Sequence, residues 1–226
     1  MLTAPLLLAC LFAQDRPARP VDTFQPNPTW KALGKALWFD PQSRELIMRA
    51  RVCLRSGALE HFLCGSNTKE HESILATDAP AYQIHAGLLL TGAEVGHPVR
   101  FRPKFEPPAG TPIRIEIEWV EEGKPRKADA REWVRDEKAK TTLKVDWVFA
   151  GSEFYEDRET KKQLYAAAEG DLITVANFTS AILDVPLASS DSDADRLFVA
   201  NTEKVPPEGT YVTLRLKALS SPRAKR

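Results

Sequence analysis

Between Pro112 and Trp119 the chain alternates without a fault. Ile113, Ile115, Ile117 and Trp119 are separated by Arg114, Glu116 and Glu118. Successive side chains of a strand point to opposite faces, so this pattern makes one dry face and one wet face. The segment therefore demands neighbouring strands and a core on one side. Glu122-Gly123-Lys124 supplies a turn after it.

The remaining signals are of the same kind. Residues 45–54 and 59–64 read as two strands around Arg55-Ser56-Gly57-Ala58, and 73–75 as a short continuation of the sheet. Residues 145–149, 163–167, 171–178, 196–200 and 211–218 read as further strands, and 128–138 fits either an exposed helix or an edge strand. The best helix spans residues 78–92. Asp78 suits the N-cap, Pro80 the first turn and Gly92 the stop, with Ala81, Ile84, His85 and Leu88 on one stripe. The expected fold is α+β and mostly β: a β-sandwich or open barrel of about 8–10 strands with one covering helix. A single domain is expected over residues 35–219. The polar loop around Asp191, Asp193 and Asp195 lacks the glycine and distal glutamate of a calcium loop.

The ends read differently. Residues 1–13, MLTAPLLLACLFA, are apolar and uncharged, and a proline-rich stretch follows. This pattern fits a secretory signal peptide and a linker over residues 14–34, which implies export to the periplasm or cell envelope. Leu7-Leu8-Ala9-Cys10 also resembles a bacterial lipoprotein box, which makes Cys10 a candidate lipid anchor. Residues 220–226 read as a basic disordered tail. No apolar run reaches the ~18–20 residues of a membrane-spanning helix. Thirty-one Lys+Arg balance thirty-one Asp+Glu, which excludes a nucleic-acid binder working through bulk positive charge.

No catalytic motif is present, neither a glycine-rich phosphate loop nor a G-x-S-x-G element. The densest reactive cluster lies in residues 59–85, where Cys64, His71, Glu72 and His85 offer ligands suited to zinc or iron, or to a redox site. Their spacing matches no standard metal motif. A thiol hydrolase using Cys64 and His71 would need the two side chains in contact. His61 and His97 read as solvent-facing. If Leu54 pairs with Leu59, Cys53 and Cys64 lie four residues apart along the ladder. At ~3.4 Å per residue that exceeds the ~7 Å Cα limit of a disulfide. Trp30, Trp38, Trp119, Trp133 and Trp147 fall mostly at strand positions, suiting core packing or an aromatic platform for a sugar or peptide. Asn177-Phe178-Thr179 is a glycosylation sequon only in a source that glycosylates.

Several stretches carry a resemblance. They are Gly57-Ala58-Leu59-Glu60-His61-Phe62-Leu63-Cys64, Thr68-Lys69-Glu70-His71-Glu72-Ser73-Ile74-Leu75 and Ile84-His85-Ala86-Gly87-Leu88-Leu89-Leu90. Trp147-Val148-Phe149-Ala150-Gly151-Ser152 and Asn201-Thr202-Glu203-Lys204-Val205-Pro206-Pro207-Glu208-Gly209-Thr210 follow. In order and spacing the chain resembles the YdjY-type domain, a family of uncharacterised and often exported bacterial proteins. The resemblance implies no assigned activity. A four-cysteine iron–sulfur cluster is disfavoured, because at most Cys53 and Cys64 remain after export processing. The leading expectation is an exported, non-catalytic domain that binds an envelope protein or a small ligand. The alternative is a metal or redox accessory protein.

Overall fold

The computed structural model describes residues 22, 24–188 and 197–219. The expected signal peptide, Cys10, the acidic loop and the basic tail lie outside the described residues. The described chain runs through β1 (Lys31–Gly34), β2 (Leu37–Asp40), β3 (Glu45–Val52), β4 (His61–Gly65), a 3-10 turn (Glu70–Glu72), β5 (Ser73–Thr77) and α1 (Ala81–Leu90). It continues through β6 (Pro112–Glu121), β7 (Lys124–Asp129), β8 (Val134–Asp136), β9 (Thr141–Thr142), β10 (Trp147–Phe149), β11 (Phe154–Glu156) and β12 (Gln163–Tyr165). β13 (Asp171–Thr174), β14 (Leu183–Asp184), β15 (Phe198–Ala200) and β16 (Tyr211–Ala218) complete it.

Eight of these strands form a closed barrel in the order β3-β16-β6-β10-β14-β13-β4-β5, with β5 returning to β3. Among the described residues the fold is thus mostly β with one α-helix, and of the two expected arrangements a barrel is found, closed where an open one was expected. Closure depends on a short pairing, Arg51 with Ala76 and Val52 with Leu75. β1 and β2 extend the sheet beyond β3, and β7 extends it beyond β6. Ile113, Ile115 and Ile117 are buried, while Arg114, Glu116 and Glu118 stay partly exposed. Leu214 of β16 lies between Met48 of β3 and Ile117 of β6 in register. Across the interior, the Phe62 and Trp147 rings meet at 5.1 Å. The Trp147 indole N–H donates to the Thr174 carbonyl at 2.8 Å, so a large buried ring carries no unpaired polar atom.

Three expectations need correction. Residues 45–54 and 59–64 do not pair as a hairpin, because β5 lies between β3 and β4 and runs parallel to β4. The connecting loop spends its backbone elsewhere: Leu59 N–H donates to Phe198 O, and Ala58 bridges Val199. The linker expected to end at residue 34 gives way earlier to ordered structure. β1 pairs with β2, and Asp22 accepts from the Arg49 guanidinium at 2.6 Å. The ambiguous 128–138 stretch is neither a helix nor one edge strand. It divides into the end of β7, a 3-10 turn at Ala130–Trp133 and β8.

The helix is shorter than the pattern. Pro80 occupies the N-cap, and Asp78 instead pairs with Lys35 at 2.7 Å. Gly92 adopts φ 89° beyond the last turn, a conformation that glycine takes without strain. α1 buries Ala81, Ile84, Gly87 and Leu88 and packs on β1, β2 and β3. Among the described residues no helix is long and apolar enough to cross a membrane.

Candidate functional site

The four residues singled out from the sequence do not form one ligand group among the described residues. His71 is 77% exposed and has Nε2 3.6 Å from Glu72. His85 lies on α1, where Nδ1 bonds the Tyr165 hydroxyl at 2.8 Å and the ring packs against Phe149 at 4.9 Å. The Tyr165 hydroxyl donates onward to Gly151 O, so it accepts from His85. Burial lowers the His85 pKa and raises that of Tyr165. His85 is therefore part of a packed aromatic cluster.

Cys64 is fully buried and neighbours Cys53; both are free thiols. Contact with Cys53 pulls the Cys64 pKa down, against the opposing effect of burial. The same contact, with burial, pushes the Cys53 thiol up. Cys53 in turn donates to Ser73 O at 3.0 Å. The thiol of Cys64 is thus paired with sulfur and not with imidazole.

Sequence reasoning missed His61, which was expected to face solvent and is fully buried. It opens β4. Its Nε2 lies 2.7 Å from Asp171 Oδ1 on β13. Between Asp171 and Thr174 the β13–β4 register shifts twice, and such bulges re-aim side chains. Lys69 Nζ reaches the same Asp171 oxygen at 2.8 Å, and the Ser180 hydroxyl donates to the other one. Burial raises the Asp171 pKa, but bonds from His61, Lys69 and Ser180 outweigh it and hold the carboxyl well below its ordinary value. An ionised Asp171 can only accept, so His61 Nε2 donates to it. Phe178 stacks on the His61 ring at 5.3 Å and 18°.

Nδ1 of His61 has no hydrogen-bond partner and is buried. It faces Glu72 Oε1 at 3.9 Å. Glu60, His61 and Glu72 bring one ligand atom each within 4.8 Å of one another. The backbone sets this meeting: Glu60 N–H donates to Glu72 O at 3.1 Å, where the parallel strands β4 and β5 begin. The sequence signal was present, since Glu60-His61 and His71-Glu72 stand at the starts of the two strands. Only the parallel pairing brings them side by side.

A second feature lies on the outer face of β3, β16 and β6, where Arg49, Thr213 and Glu118 stand in register. A groove of about 720 Å³ is lined there by Phe24, Trp30, Trp119, Tyr211, Arg49 and Arg126, among others. Trp119 leans edge-on against buried Trp133 at 5.5 Å, and Val120 beside it is 65% exposed. Arg49 lies 4.9 Å from the Phe24 centroid and 5.5 Å from that of Tyr211, and Arg215 lies 5.3 Å from Trp30. The charges are locally paired: Arg49 with Asp22, Arg126 with Glu121, and Lys127 with Glu116.

Among the described residues, eight strands closed into a ring with one α-helix outside make this a β-barrel protein. The particular family follows from the sequence: the YdjY domain matches residues 37–217, and the chain belongs to that family. No curated protein and no solved structure matches it.

Proposed function

We propose that the protein is an exported binding domain of the cell envelope that works without catalysis, and that the outer groove is its binding surface. One observation carries this reading: Phe24 and Trp30 of the N-terminal segment and Tyr211 of β16 converge on one open groove. The apolar start of the chain and the proline-rich stretch after it support export. The polar clusters fit binding better than nucleophilic catalysis. Ser180 bonds Asp171, not His61, and the free nitrogen of His61 faces carboxylates, so Ser, His and Asp stand in the wrong order for a triad.

The groove chemistry suits an uncharged extended chain. Aromatic faces stack on apolar ligand faces, and paired charges bond hydroxyl or amide groups without favouring one sign. Ligand contact falls on the face of the sheet and not on its edge. The free edge of β7 carries Lys124, Pro125, Arg126 and Lys127, which blunt strand addition. The test is a titration of the mature chain with neutral oligosaccharides of glucose and N-acetylglucosamine, and separately with short neutral peptides, followed by tryptophan fluorescence. Saturable binding that weakens at least ~tenfold in Trp30→Ala and Tyr211→Ala variants is expected, the loss of one aromatic anchor. No saturable response to either series, or equal binding by both variants, would reject the groove as the binding surface.

A further inference from the structure

We propose that Glu60, His61 and Glu72 form a site for a divalent first-row transition metal, independent of the outer groove. Two separate observations meet here. Three ligand atoms of a kind that metals take lie within 4.8 Å of one another. The His61 side chain is also fully buried, yet its Nδ1 is without a hydrogen-bond partner and faces the carboxylates. A buried ring nitrogen without a partner is costly, so it calls for one that the protein itself does not supply.

Asp171 stands where a supporting carboxylate should. Metal-bound histidines commonly give their second ring N–H to a carboxylate, which fixes the tautomer and aims the free nitrogen at the ion. The Nε2–Asp171 bond of 2.7 Å does this, and stacking on Phe178 holds the ring plane. Bonds to a metal of ~2.0–2.2 Å require ligand atoms roughly 3.3 Å apart. The 3.9 Å from His61 Nδ1 to Glu72 needs a small closure, and Glu72, 24% exposed, has room to make it. Glu60 is half-buried. One imidazole and two carboxylates suit zinc, manganese or iron(II) better than calcium, which prefers oxygen alone. Open positions on the ion would face solvent through the exposed sides of Glu60 and Glu72.

Lys69 is the competing cation. Burial lowers its pKa, but Asp171, Glu72 and Glu60 more than reverse this and stabilise the ammonium. It offsets the acidic charge of the site when no metal is bound. His71 Nε2 lies 3.6 Å from the other oxygen of Glu72 and stands outside the ligand set.

The test uses the mature chain stripped with chelator, to which zinc alone and then manganese alone are added. Bound metal is counted by mass spectrometry, and affinity is taken from calorimetry. Near one equivalent with a rise in melting temperature is expected. Glu72→Gln and Glu60→Gln, on the exposed side of the site, should each weaken binding at least ~tenfold without loss of fold, while His71→Ala should not. Asp171→Asn should weaken it ~10–100-fold by releasing the tautomer. His61→Gln belongs in the set, but the site does not depend on its folding, because the two glutamate variants test the same ion. Absent saturable binding, or binding kept by the Glu60→Gln, Glu72→Gln double variant, overturns the proposal. So does binding lost in His71→Ala alone, which would place the ion on the surface pair.

Discussion

Asp184 lies fully buried in the barrel wall, and burial raises its pKa to about 7 despite bonds from Asn177 and the Val185 N–H. The folded state therefore holds a proton that the unfolded chain, titrating near the ordinary carboxylate value, releases earlier. Stability contributed by the protonated form is present at low pH and is lost as pH rises toward and through 7. We expect Asp184→Asn to match the wild type near pH 4–5 and to be more stable above pH 7, by roughly 1–2 kcal/mol because the amide must find an acceptor. A melting-temperature series from pH 5 to 8.5 reads this directly, and parallel curves would show Asp184 ionised throughout. Asp171 acts in the opposite direction. Its lowered pKa contributes stability above the ordinary carboxylate range that is lost on acidification. Asn177 shows how context overrides a motif. Its side chain is buried and donates to Asp184 and to Val185 O, which leaves the sequon no accessible amide in the folded protein.

At the scale of elements, α1 owes its place to one missing side chain. A Cβ built on Gly87 would stand 2.4 Å from Leu46 Cδ1, and Leu46 is itself fully buried on β3. Alanine would favour the isolated helix by about 1 kcal/mol. The clash in a filled core costs more, so Gly87→Ala should destabilise by about 1–3 kcal/mol in urea unfolding. A stabilised variant would mean that Leu46 repacks freely. The pattern Ala81, Ile84, Leu88 was legible as a buried stripe because helical spacing is local. That His85 would bond Tyr165, eighty residues on, was not. The same holds for β6: its alternation was readable, while its partners β16 and β10 come from distant parts of the chain.

The whole molecule is a barrel with strong and weak walls. β16 pairs with β3 along Tyr211 to Lys217 and with β6 along Thr213 to Ala218. β3 meets β5 at Arg51 and Val52, and β14 meets β13 at Leu183. Opening should begin where the ladder is short. Native-state hydrogen exchange is expected to protect β3, β16 and β6 longest. Amides of β14 and of the β3–β5 seam should exchange earlier, through sub-global opening. Uniform protection around the ring would show that the barrel opens only as a unit.

Local physics in the sequence determined the strands with alternating faces, the helix with its glycine stop, the mostly β fold, and the stretches that mark the family. Each depends on neighbours within a few residues, where periodicity and turn chemistry act. Ring closure, the insertion of β5 between β3 and β4, and the meeting of Glu60, His61 and Glu72 were decided only in three dimensions. His61 illustrates the reason. Its neighbours in sequence, Glu60 and Phe62, do not reveal its burial. That burial is set by Asp171 and Phe178, more than a hundred residues away, through a pairing that no local pattern encodes.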